Sequence, residues 1–357
     1  ARYDDLSEEM EAIQAGREGV LTSEPVLLLQ PSSGSSAGTK LIPFTATLRN
    51  QFNKAVSIWI ADLFWHRPEL MDGPAYWSVS PLAGQMPSVP GPVRVGFEDD
   101  GAYLGGLTRS VVSAAMAVPG ELARLTDPEV HRYATLRYLL GAAEVRIFSV
   151  WSPTFLALLL SPLEEWWDSL VIDVEEGTLT APGGGSIKTE GTDLPVPEPN
   201  PHRARELRAV GPHDLLGLWP KLGLLSAWAD GSSGPYAGDL RRSFPGVPFQ
   251  AKGLIATEAF ITIPRWGLPG GHPAITSHFL ELIPEGAGVE DALLVDELEE
   301  TGRYEVLATT GGGLFRYRLG DIVEVVGEGG GLPLLQFVGR ADRVSDFFGE
   351  KLSDGFV

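Results

Sequence analysis

The residues best suited to chemistry fall in four short segments of the chain. The first, Ser32-Ser33-Gly34-Ser35-Ser36-Ala37-Gly38-Thr39-Lys40, combines hydroxyls, glycines and one cation. Glycine lets a backbone approach a phosphate closely, serine hydroxyls and backbone N–H groups donate to its oxygens, and Lys40 adds charge. The spacing is not that of a Walker loop, where lysine directly follows the second glycine; here Thr39 intervenes between Gly38 and Lys40. Gly34 to Gly38 also fits G-x-S-x-G, the nucleophile elbow of a serine hydrolase, which would use Ser36 with an acid and either His272 or His278. An elbow needs a helix starting at its serine, whereas Lys40-Leu41-Ile42 before Pro43 reads as extended chain. A ligand-free surface loop is the plain alternative.

The second segment, Gly253-Leu254-Ile255-Ala256-Thr257-Glu258, presents one carboxylate after a turn of small residues. One carboxylate suits Mg2+, which keeps most of its waters beside substrate phosphates, although a glutamate after a turn is more often solvated. The third, Leu314 to Val323, reads as two strands joined at Gly320-Asp321. An aspartate held there could accept two hydroxyl hydrogen bonds from a ribose, or could simply belong to a turn. The fourth, Phe337 to Arg343 followed by Gly349-Glu350-Lys351-Leu352, packs charges around a glycine and reads as an interdomain hinge or a charged surface loop. The six histidines are scattered without metal-binding spacing, so no zinc site is expected.

These segments need elements to hold them. Leu48, Phe52, Val56, Trp59, Ile60 and Leu63 mark one face of a helix over residues 45–66, stopped by Pro68. Short strands are expected at 26–29 and 39–44. Helices are expected near 109–116, 121–125, 128–140, from Thr154 and near 212–219, with strands at 145–150 and 223–228. The proline- and glycine-rich stretch 175–201 reads as a mobile loop. The last third alternates as strands at 279–283, 304–309, 313–319, 322–326 and 334–338. The pattern is α/β.

Composition narrows the function. The 357 residues exceed what one core usually supports, so more than one subdomain is expected. A net charge of −20 argues against nucleic acid and anionic membranes as partners. The absence of cysteine removes disulfides, thiolate metal sites and a thiol nucleophile, and fits a cytoplasmic setting. No apolar stretch approaches the roughly 18 residues that would span a bilayer.

Taken in order, the segments resemble the acyl-adenylate-forming enzymes, and specifically a bacterial-type member of the auxin-responsive (Gretchen Hagen) family of acyl acid–amido synthetases. The residues that carry the resemblance are SSGSSAGTKLIP at Ser32 to Pro43, YWSVSP at Tyr76 to Pro81, GLIATE at Gly253 to Glu258, LFRYRLGDIV at Leu314 to Val323 and FVGRADRVSDFFGEKLSD at Phe337 to Asp354. The resemblance implies a large N-terminal domain of layered α/β subdomains with a small β-barrel over residues 1–338. It further implies a hinge and the start of a C-terminal domain over 339–357, the rest of that domain lying outside the sequence, with residues missing at the N-terminus too.

The activity so implied is ATP- and Mg2+-dependent: a carboxylic acid is activated as its adenylate and passed to an amine, such as that of an amino acid. Ser33, Ser35 and Ser36 would contact phosphates, Glu258 would hold Mg2+ and Asp321 the ribose hydroxyls. Phe279 would lie against adenine, Gly231, Ser232, Ala256 and Thr257 would line the nucleotide pocket with Arg340 at its hinge side, and Lys351 would reach the phosphates. Pro31, Ala37 and Thr39 depart from the family's loop, and Gly339-Arg340-Ala341-Asp342 is nearer the wider adenylating superfamily. The acyl pocket is expected around 103–108 and 151–155. Transfer to coenzyme A, the serine hydrolase and a non-catalytic adenylate binder are the competing readings.

Overall fold

The computed structural model describes residues 1–32, 40–78, 92–96, 115–182, 185, 187, 194–341, 345–347 and 350–352. Near the N-terminus α1 (Ser7–Gln14) buries Met10 and Ile13, one helical turn apart. Strands β1 (Leu28–Ser32) and β2 (Lys40–Phe44) pair antiparallel with Ser32 opposite Lys40. The Ser/Gly segment thus runs from one strand into another, where a nucleophile elbow would run into a helix. Ser33, Ser35 and Ser36 lie outside the described residues.

The long helix α2 (Ala46–His66) starts where expected because Thr45 caps it: its Oγ1 accepts from Leu48 N at 3.1 Å and donates to Gly311 O at 2.9 Å. Its buried face is Leu48, Phe52, Ala55, Trp59, Asp62 and Leu63. Asp62 departs from the apolar pattern because its carboxylate receives Arg265 Nε at 2.8 Å and Trp266 N at 2.7 Å, which pins the helix to the second half of the chain.

Four strands, β3 (Ala75–Trp77), β4 (Ile147–Ser149), β5 (Leu224–Ala227) and β6 (Phe249–Ala251), form a parallel sheet in sequence order. Tyr76, Phe148, Leu225 and Phe249 are in register on one face. Tyr76, Phe148 and Leu225 are buried there, with Phe249 packed beside them, in a core shared with α3 (Pro128–Gly141), α4 (Pro153–Leu160), α5 (Leu163–Glu176), α6 (Pro201–Val210) and α8 (Gly234–Ser243). The short α7 (Leu215–Leu218) closes this layer. Asp127 and Asn200 cap α3 and α6, each followed by proline at the first helical position. On the opposite face Ile147 and Leu224 pack with Leu63 and Leu70. Parallel sheets are covered on both sides in this way.

The last third is antiparallel. Strands β7 (Thr262–Pro264), β8 (Gly271–Pro273), β9 (Phe279–Pro284), β10 (Arg303–Thr309), β11 (Tyr317–Gly329) and β12 (Leu332–Arg340) form a six-stranded sheet in the order β7-β8-β12-β11-β10-β9, standing where the small barrel was expected. A hairpin of β13 (Ser345–Phe347) and β14 (Glu350–Leu352) follows. A second core, from Met10 and Ile13 to Val323 and Leu335, ties α1 and the first hairpin to this sheet. No described helix is long and apolar enough to cross a membrane.

Several sequence expectations change. Gly320-Asp321 is not a turn between two strands; β11 runs on through it as one strand of 13 residues, with a register shift at Ile322/Val323 and Gly320 at φ +79°. Glycine accommodates that irregularity without a Cβ penalty. Arg340 belongs to β12, not to a surface loop. Helix α6 begins at Pro201, the last residue of the expected 175–201 loop. The helix expected near 109–116 lies largely outside the described residues.

Candidate functional site

The C-terminal ends of parallel strands are where loops converge on ligands, because successive strands deliver their loops to one edge. Trp77 and Ser78 leave β3 there, Val150 and Trp151 leave β4, Trp228 to Ser232 leave β5, and Lys252 to Glu258 leave β6. Five of the residues named from the sequence, Gly231, Ser232, Ala256, Thr257 and Glu258, are therefore delivered to one edge of the sheet. The GLIATE segment is a tight turn: Ala256 N donates to Ala259 O at 3.0 Å, and Ile255 bridges Phe260. Gly253 opens it because a Cβ there would sit 2.1 Å from Thr262 O. Glu258 is buried at the end of this turn.

Strand β12 docks on the same edge. Gln336 Nε2 donates to Asp230 Oδ1 at 2.7 Å, and a Cβ on Gly231, whose φ is +55°, would lie 3.1 Å from the Phe337 ring. Burial raises the Asp230 pKa, opposed in part by the hydrogen bonds from Gln336 and the Phe337 backbone. At the far end of β12, Arg340 Nη1 donates to Asp321 Oδ1 at 2.9 Å and Nη2 to Leu319 O at 3.1 Å. Ala341 N donates to Gly320 O at 2.7 Å, so the chain leaves the sheet against the irregular part of β11.

Tyr317 is buried at the start of β11. Burial raises its phenol pKa, the charge of Glu258 raises it further, and Arg340 opposes. Tyr3 is likewise raised, first by burial, with Glu258 among its smaller causes. Its hydroxyl accepts from Leu41 N at 3.0 Å, and Lys40 Nζ lies 5.6 Å from its ring centroid. The charge of Glu258 is thus felt by both tyrosines, one on β11 and one beside the first hairpin.

Two other named residues lie in the last third of the chain. Phe279 is 56% exposed at the start of β9, opposite Thr309. Lys351 lies in β14 opposite Asp346, beyond the exit from β12. Of the histidines offered to the hydrolase reading, His278 accepts at Nε2 from Phe260 N at 3.0 Å and burial pushes its pKa to about 4, while His272 sits in β8; Ser36 lies outside the described residues.

The sequence reading missed Tyr3, Tyr317, Asp230 and, above all, Lys252. Lys252 is 2% exposed, and burial pushes its pKa down to about 7. Its Nζ donates to Ser149 Oγ at 2.7 Å and lies 4.7, 5.2 and 4.9 Å from the ring centroids of Trp59, Trp77 and Trp151. A single charge directly before GLIATE was the available signal, and only the fold brings the three tryptophans to it.

The geometry can be set against known proteins. The model of the GH3 family N-terminal domain matches residues 1–249, and that of the GH3 family central domain matches 272–340. The chain is 24% identical over 379 residues to an indole-3-acetic acid-amido synthetase of Arabidopsis thaliana, covering 99% of this chain and 62% of the relative. It is 25% identical over 358 residues to a jasmonoyl–L-amino acid synthetase of Nicotiana attenuata, covering 90% of this chain and 59% of the relative. Among solved structures it superimposes on the acyl acid amido synthetase GH3.15 with a TM-score of 0.78 at 19% identity, over 97% of this chain and 61% of the other. A 2-hydroxyisobutyryl-CoA ligase shares the fold more loosely, at a TM-score of 0.52 and 12% identity, over 99% of this chain and 61% of the other. The chain therefore spans about three-fifths of the length of these relatives. With both family domains in sequence along the chain and the adenylate-forming fold around them, the protein belongs to the GH3 family.

Proposed function

We propose that the protein is an ATP- and Mg2+-dependent acyl acid amido synthetase, which activates a small carboxylic acid as its adenylate and passes the acyl group to an amine of the amino-acid class. The observation that carries this reading is the buried Asp321–Arg340 pair, together with the buried Glu258 on its tight turn at the edge of the parallel sheet, within a chain of this family. A carboxylate is a poor electrophile. Its oxygen attacks the α-phosphate of ATP and pyrophosphate leaves; the amine nitrogen then attacks the acyl carbon, loses a proton and releases AMP. Both steps are governed by positioning and by stabilisation of developing negative charge.

The residues present suit these tasks. Asp321, 7% exposed and aligned by Arg340, is assigned to the ribose hydroxyls. Gly231, Ser232, Ala256 and Thr257 form the floor on the edge of the parallel sheet, and Ser33, Ser35 and Ser36 are assigned to the phosphates. Glu258 is one buried carboxylate on a tight turn, which fits an octahedral Mg2+ that takes its other ligands from water and phosphate. When bound, that ion would neutralise charge on the phosphates. Phe279, with its exposed ring, is assigned to adenine and Lys351 to the phosphates from beyond the hinge. Residues 1–338 would hold the nucleotide and the acid, and 339–357 would lead across the hinge.

The serine hydrolase is disfavoured by the strand that follows Thr39 and by the engaged His278. Coenzyme A as acceptor remains the alternative within the fold. The test is ATP–pyrophosphate exchange dependent on aromatic, indolic or aliphatic acids, followed by AMP release with amino acids and, separately, with coenzyme A. Acid-dependent exchange with amine-dependent AMP release is the expected result; exchange coupled only to coenzyme A would overturn the amide assignment.

A further inference from the structure

Across the parallel sheet Ser149, Ser226 and Gln250 stand in register on the face turned towards α2, and Lys252 follows two residues beyond Gln250. All four are buried. Within this row the hydrogen-bond inventory is one-sided. Lys252 spends one of its three N–H groups on Ser149 Oγ, so the Ser149 hydroxyl keeps its own proton to donate. Ser226 Oγ and Gln250 Nε2 have no partner among the described residues. Trp59 Nε1 donates to Gln250 Oε1 at 2.9 Å, which fixes the amide so that its NH2 is the unused end. What remains is a set of donors and a cation, walled by Trp59, Trp77 and Trp151, with no ion pair to Lys252 among the described residues.

A structural role alone accounts poorly for this set. Three indole faces offset part of the desolvation of an ammonium, but methionine would fill the same space among tryptophans without burying a charge or leaving donors unused. A site of unpaired donors is complementary to an anion with two acceptor oxygens on a flat or apolar body. We propose that Lys252, with Ser149, Ser226 and Gln250, binds the carboxylate of the acid substrate, and that Trp59, Trp77 and Trp151 select acids with a planar apolar body. This rests on the amido synthetase reading and adds to it the residue that recognises the acid head group.

The test compares each acid with its neutral amide. Benzoate and phenylacetate, against benzamide and phenylacetamide, are titrated calorimetrically into the intact protein and its Lys252→Met and Ser226→Ala variants, with ATP titrated as a control. The wild-type protein is expected to favour each carboxylate over its amide by about tenfold or more, as hydrogen bonds to a charged group predict. Lys252→Met should bring that ratio near one with ATP affinity unchanged, and Ser226→Ala should lower it by about threefold. A wild-type protein with no carboxylate preference, or a Lys252→Met variant that keeps one, overturns the assignment. Should Lys252→Met fail to fold by circular dichroism, an unchanged ratio in Ser226→Ala overturns it instead. Exchange separates the two readings: a Lys252-dependent carboxylate preference without pyrophosphate exchange sinks the synthetase reading alone, whereas exchange whose acid KM is unmoved in Lys252→Met sinks the acid site alone.

Discussion

Arg340 and Asp321 are register partners across the β11–β12 ladder and are also joined side chain to side chain, Nη1 to Oδ1 at 2.9 Å. Both are largely buried, so the pair holds a carboxylate in one orientation where the chain leaves the sheet. Proposed as the ribose clamp, Asp321 would contribute a few kcal/mol to nucleotide affinity. Replacing it with alanine should weaken ATP binding by at least several-fold, read by calorimetric titration. Unchanged affinity in a folded variant would remove Asp321 from the site.

Glu258→Gln keeps the size of the side chain, replaces one acceptor oxygen with an NH2 donor and removes its charge. If this carboxylate holds Mg2+, the variant should need a several-fold higher Mg2+ concentration for half-maximal acid-dependent exchange. A Mg2+ titration that superimposes on the wild type would place the metal elsewhere.

Lys252 imposes a pH dependence on stability whose sign follows from its depressed pKa. The unfolded chain holds this proton up to the ordinary lysine value of 10.5, whereas the folded protein releases it near 7. Between those values the unfolded state binds more protons, so the contribution of this group to stability improves as pH rises from about 7 to 10.5. Lys252→Met lacks the penalty. It should be more stable than the wild type by on the order of a few kcal/mol at pH 6, with the difference shrinking towards pH 10. Chemical denaturation at several pH values measures this, and a pH-independent difference would contradict the buried-amine account.

Gly253→Ala should be costly although the backbone there needs no left-handed conformation, because the new Cβ would meet Thr262 O at 2.1 Å. That contact is backbone and cannot rotate away, so the turn bearing Glu258 must shift. A loss of roughly 2 kcal/mol or more is expected, with a higher Mg2+ requirement alongside it. Gly231→Ala combines a φ of +55° with a contact of 3.1 Å to the movable Phe337 ring, and should cost about 1 kcal/mol. Thermal melts rank the two, and equal melting points would undercut the packing argument.

Local order was readable where one signal dominated. Thr45 before the apolar stripe marked the start of α2 and Pro68 its end, and the alternating runs after residue 279 became β9 to β12. The reading failed where a short pattern had two meanings. Gly320-Asp321 looked like a turn, because a bulge inside a long strand uses the same residues as a hairpin end. The Asn200-Pro201 cap of α6 was lost within a proline-rich stretch.

For the site, the lone acids Glu258 and Asp321 could be singled out from local pattern, whereas acyl-adenylate chemistry and the roles of Gly231 and Arg340 came from the resemblance of the ordered motifs to a family. Tertiary structure alone decided which of them meet. It set Arg340 on Asp321, buried Glu258 at the end of its turn, left Phe279 exposed at the start of β9, and enclosed Lys252 with Ser149 and three tryptophans from β3, the end of β4 and α2. Ser149, whose hydroxyl accepts from Lys252 Nζ, lies 103 residues away along the chain. A residue's burial and its partners are properties of the packed sheet and not of its neighbours in sequence, so a lysine that reads as an ordinary surface charge became the least expected group in the protein.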